Sequence, residues 1–69
     1  MLGEEEAVVL EVRSFDLHGV KYADVAVGLR DRSVQEARLG PESVPEDLAK
    51  GERVLVTRVA NMVVSIRRP

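Results

Sequence analysis

The chain has 69 residues, a formal net charge of −2 and 32% charged side chains, so it can form one small domain with no bulk attraction to phosphate. It has no cysteine, which excludes disulfides and cysteine-based metal sites. A chain this short sits near the limit of independent stability, and without a covalent staple the common remedy is a partner surface.

Eight of the ten basic residues are arginine, and there is one Asn and one Gln. This thermophile-like composition fits a heat-adapted protein and an arginine-biased, GC-rich genome equally well. The opening Met1-Leu2-Gly3 runs straight into Glu4-Glu5-Glu6. It is expected to carry no signal peptide, and residues 1–6 are read as a frayed acidic lead. The longest apolar runs fall far short of the ~18 residues of a membrane span. A cytoplasmic location and no membrane partner are the expectation.

In chain order, Val8, Leu10 and Val12 alternate with Val9, Glu11 and Arg13, a period-2 strand with the first set inward. Ser14 to Val20 follows as a loop, with Asp16 and Gly19 as turn residues. A second strand runs from about Lys21 to Leu29. Its core row is Ala23, Val25, Val27 and Leu29, and its outer row is Tyr22, Asp24, Ala26 and Gly28. Arg30-Asp31-Arg32 connects it to a third strand, Ser33 to Leu39, with Asp31 expected in the left-handed conformation. Val34, Ala37 and Leu39 cannot share a face at strict alternation, which predicts a β-bulge near Gln35-Glu36.

Gly40-Pro41 ends that strand. Ser43-Val44-Pro45-Glu46 matches a capping box and Gly51 a left-handed stop, which predicts one to two helical turns with Leu48 plugging the core. Strand four is read over Glu52–Val59 and strand five over Met62–Arg67. Ala60-Asn61 forms a two-residue turn between them, and Met62, Val64 and Ile66 are placed inward. The expected fold is an all-β, five-stranded OB-like Greek-key barrel with a short helix between strands three and four. An SH3-like barrel is the alternative. The whole chain, residues 1–69, is then a single domain.

The stretch Val34 to Ile66, with Pro45-Glu46 preceding Gly51-Glu52-Arg53-Val54-Leu55-Val56, resembles the barrel of the hydrogenase-maturation chaperones of the HypC/HupF type. Leu48 to Val64 is similar to the C-terminal OB barrel of NfeD-type proteins, an interaction module. The first resemblance implies a small barrel but not metal handling. Leu2 stands where that family carries its cysteine, and Thr57 follows Val56 where the family has histidine.

Chemistry-bearing patterns are sparse. His18 is the only histidine, with Asp16 nearby but no ligand set for a metal. No serine sits in a nucleophile motif and no glycine-rich phosphate loop occurs. The expectation is therefore no catalytic residue, no metal and no cofactor. Phe15, His18 and Tyr22 are the candidate loop and face contacts, and Arg58, Arg67 and Arg68 a candidate basic corner. Two aromatics and a negative outer row on strand two make nucleic acid an improbable partner. Val9, Leu55, Val59 and Val63 are placed on outer rows, where a patch would mark an interface. The expected function is a non-catalytic protein-interaction or self-assembly module. Its partner is a second copy in a homodimer or another protein, and the alternative is a nucleic-acid- or ribosome-associated OB protein.

Overall fold

The structure is a computed structural model, described here for residues 2–69. Five strands form one antiparallel sheet: β1 (Leu2–Leu17), β2 (Val20–Leu29), β3 (Val34–Leu39), β4 (Arg53–Val59) and β5 (Met62–Arg67). Their order is β3-β2-β1-β4-β5, so β1 is central. Its first half pairs with β4 from Leu2↔Val59 to Val8↔Arg53, and from Ala7 onward it pairs with β2. Edge strands β3 and β5 approach each other without forming a ladder, so the sheet curls but does not close. No helix forms among the described residues, and none is long and apolar enough to cross a membrane.

The curl encloses a core of Ala7, Val9, Ala23, Val25, Val27, Leu29, Leu39, Leu48, Val54, Val56, Val63 and Ile66. The β2 row is as the alternation predicts. The row on β1 is not. Leu10 is a bulge, since Val9 pairs with Val27 and Glu11 with the next residue, Ala26. One extra residue shifts the phase, so Ala7, Val9 and the half-buried Val12 face inward while Val8 and Leu10 face out. A second irregularity lies between Thr57 and Arg58, where β5 carries Val64 as the extra residue. Val63 and Ile66 therefore enter the core, and Met62 is 68% exposed. The expected bulge in β3 is absent. Pairing with β2 runs unbroken from Ala23↔Leu39 to Gly28↔Val34, Val34 is 56% exposed, and Ala37 leans on the core that Leu39 enters.

Four further expectations are corrected. Glu4–Glu6 are not a frayed lead, because they lie inside β1 opposite Leu55–Thr57. Met1 lies outside the described residues. The Ser14–Val20 loop is instead strand up to Leu17, closed by a two-residue turn of His18 (φ 52°) and Gly19 (φ 80°). Positive φ at both central residues is the turn type whose twist suits a hairpin. Between β3 and β4 the predicted helix is replaced by successive turns. Pro45 has no N–H to donate, and Asp47 takes φ 57°, a left-handed break one residue before Leu48. The segment is tied to the sheet instead. Ile66 N–H donates to the Ser43 carbonyl at 2.8 Å, and Gly51 N–H to the Val9 carbonyl at 2.8 Å. Gly51 does take the expected left-handed φ of 93°, and Leu48 does plug the core. In the β2–β3 connection it is Arg32 that turns left-handed (φ 71°), while the Asp31 carboxylate accepts from the Ser33 N–H and hydroxyl.

Candidate interaction face

The outer surface of β1–β2–β3 brings together most of the chain's exposed features. Residues directly opposite in an antiparallel ladder share a face, so the register reads the surface off in rows. Phe15 lies opposite Tyr22, and Arg13 opposite Asp24, which pairs on its other side with Arg38. Glu11 lies opposite Ala26, then Glu36. Val8 lies opposite Gly28, then Val34. The bulged Leu10 folds over Gly28, where a Cβ would meet its side chain at 3.4 Å. From one end to the other the face is thus apolar, basic, acidic and apolar.

The first end is an arm. β3 reaches only to Ala23, and β4 leaves β1 at Val8, so Phe15 to Tyr22 pair only with each other. Phe15 and Tyr22 stack with ring centroids 5.8 Å apart and planes at 22°. The next pair outward on the same side, Leu17 and Val20, is also exposed. An isolated two-stranded ribbon is marginal in water, and this one is braced at its base by Arg38, whose guanidinium lies 4.8 Å from the Phe15 centroid. The same guanidinium donates to both Asp24 oxygens, at 3.0 and 3.4 Å. That hydrogen bond holds the Asp24 carboxyl below its ordinary pKa and raises that of Arg38. Between the two apolar ends runs an open groove of about 560 Å³ floored by Ala26 and walled by Glu11, Arg13, Glu36 and Arg38.

The candidate residues separate clearly. Phe15 and Tyr22 come together, and His18 stands exposed at the tip of their arm. Val9 and Val63, placed outward by the alternation, are core residues of the monomer, because the Leu10 and Val64 bulges invert their phase. They present no surface to a partner. Leu55 is half-buried on the outer side of β4, in register with Glu6 and Arg67, and Val59 is exposed beside Met62. The sequence reading missed Val8, Leu10 and Val34, the apolar end of the outer face. Their signal was the pair Val8-Val9, one of which had to face out.

The three arginines do not make a shared basic corner. Arg67 grips Glu4 across β4, Arg68 holds Glu52 at 2.9 Å and donates to the Glu46 and Asp47 carbonyls, and Arg58 pairs with Glu5 at 3.2 Å. Each charge is already answered, which lowers the pKa of Glu4 and of Glu52, in both cases chiefly through the arginine hydrogen bond. Arg58 and Glu5 point inward and close the end of the sheet opposite Leu48. The Arg58 Nε there is buried without a partner.

No family model matches the chain, and no curated protein or solved structure does either.

Proposed function

We propose that this chain is a non-catalytic interaction module that associates with itself, carried on an OB-like barrel. The helix that favoured that barrel from sequence is absent. Support comes instead from the strand order, which is the order of a five-stranded, partly open Greek-key barrel cut between its third and fifth strands. One observation carries the functional reading. The outer face of β1–β2–β3 exposes Val8, Leu10 and Val34 at one end and, at the other, an aromatic arm that pairs with no third strand. Neither end is satisfied by water, and a 69-residue chain gains stability by covering both.

Analytical ultracentrifugation from 1 µM upward tests the reading (~1 to ~500 µM spans weak to tight association). The expected result is a mass rising from 7.6 kDa toward twice that value. A constant 7.6 kDa across the whole range refutes self-association.

A further inference from the structure

Resting on that reading, we propose that the occupant of the outer β1–β2–β3 face is a second copy of the chain, packed face to face with its strands antiparallel. The two-fold axis lies in the interface and crosses the strands at the level of Val12, Val25 and Ala37.

The argument is the palindromic sequence of rows. In order along the strands they are Phe15/Tyr22, then Arg13/Asp24/Arg38, then Glu11/Ala26/Glu36, then Val8 and Leu10/Gly28/Val34. The second row carries a net charge of +1 and the third −2, counting Arg and Asp or Glu as full charges. A two-fold axis between them lays each row on its complement. Arg13 faces Glu11 of the copy, and Arg38 faces its Glu36. The Phe15 ring covers Val8, and Tyr22 meets the Leu10 side chain that lies over Gly28. Both halves of the interface repeat this, as an isologous contact must.

The same charges reject the other face-to-face arrangement. An axis running along the strands would lay Arg13 on Arg38 of the copy and Glu11 on Glu36. Like charges brought together away from water disfavour that pairing strongly. Within one chain the two key charges are poorly used. Arg13 and Glu11 approach only to 3.8 Å, with side chains 76% and 69% exposed. The opposite surface, outside β1–β4–β5, is strapped by the Arg67–Glu4 pair and offers no such pattern. Strand spacing limits the footprint to about 25 Å by about 15 Å, at ~3.3 Å per residue and ~4.8 Å per strand. That is about 375 Å² per partner, below the standard size of a specific interface, so the dimer is a weak, transient one that weakens further as salt is added.

The test is a charge exchange, read by sedimentation and by heteronuclear NMR shifts of the strands. Glu11→Arg and Arg13→Glu each place like charges across the axis, so each variant alone should associate more than ~10-fold more weakly than wild type, at ~1.4 kcal/mol per decade. Mixed in equal amounts they should form a heterodimer of near wild-type strength. A single chain carrying both changes should dimerise again. Because both positions are exposed, circular dichroism should show all variants folded. Two results overturn the proposal: variants that dimerise like wild type, which places the contact elsewhere and leaves self-association standing, or a mixture that fails to associate although the wild type does. A wild type that stays monomeric removes the underlying reading instead.

Discussion

The Arg67 guanidinium holds the Glu4 carboxylate through two hydrogen bonds, at 2.6 and 2.9 Å, and so joins residues 63 positions apart. The pair reaches over β4, since Glu4 is opposite Thr57 and Arg67 is opposite Leu55. It ties the first and last strands without a covalent link.

Acid should undo this type of contact first. The carboxyls of Glu4, Asp24 and Glu52 are held below their ordinary values by Arg67, Arg38 and Arg68, and that of Asp31 by Ser33. A depressed folded pKa means that the unfolded chain binds the proton more readily. The contribution is then complete above the unfolded value and lost as pH falls through the folded one. The melting temperature should therefore hold steady between about pH 8 and 5 as far as these groups are concerned, and fall below about pH 4.5. Glu4→Gln should flatten that fall. An acid limb unchanged in the variant and in high salt would show that these pairs do not contribute.

The phase inversion at Leu10 makes neighbouring valines unequal. Val9 is 1% exposed and Val8 40%. Val9→Ala should cost about 2 kcal/mol through lost burial and an unfilled space, while Val8→Ala should stay within about 0.5 kcal/mol at dilutions where the chain is monomeric. Urea unfolding of the two variants decides which valine is the core residue.

Four side chains stand where glycine is preferred, at His18, Arg32, Asp47 and Ala60, and two of them are the simplest to test. Arg32 follows a tight turn in which its N–H donates to the Leu29 carbonyl at 3.0 Å, and Ala60 opens the β4–β5 hairpin, at φ 71° and 55°. An L-residue in that region costs roughly 1–2 kcal/mol, and glycine returns part of this as extra unfolded-state freedom. Arg32→Gly and Ala60→Gly should each stabilise by about 0.5–1 kcal/mol, additively, because the sites share no partners. A loss of stability in either variant would contradict the turn geometry.

Nucleic-acid binding should be weak. Arg58, Arg67 and Arg68 are each engaged by a carboxylate of the same chain, and the outer face that carries Tyr22 and Phe15 also carries Glu11, Asp24 and Glu36. Little counterion release remains, so fluorescence anisotropy with single-stranded DNA and RNA should give dissociation constants no tighter than about 10⁻⁴ M at physiological salt. Micromolar, salt-sensitive binding lost on neutralising Arg58 and Arg67 would favour the nucleic-acid reading.

What the sequence disclosed follows from which signals are local. The β2 row of Ala23, Val25, Val27 and Leu29, the bounds of β5, and the turn at Ala60-Asn61 depend on alternation and turn chemistry over a few residues, and each is found as read. The bulges could not be placed so simply. Whether Val8 or Val9 faces in is set by Leu10 having no partner in the β1–β2 ladder, a shift of register that neither strict alternation nor the turn residues reveal. The same holds for Val63 and Val64. Ser43-Val44-Pro45-Glu46 carries the letters of a helix cap, but the segment spends its backbone groups on Ile66 and on the turn to Gly40, so tertiary pairing outweighs a short and marginal helix. Phe15 and Tyr22 were visible as the only aromatics, whereas their stacking needed the arm that was read as a loop.

Because β1 serves as common centre, the chain has an uneven route to its native state. The β1–β2 and β4–β5 ribbons need only two-residue turns, and such hairpins assemble within about 1–10 µs. The β1–β4 ladder instead unites residues as distant as Leu2 and Val59, and forfeits the freedom of everything between them. Docking of the last hairpin onto the start of the first strand is thus the slow event. A nascent chain cannot complete its core until β5 has left the ribosome, which leaves the early half of β1 unpaired on its β4 side while β2 and β3 are made.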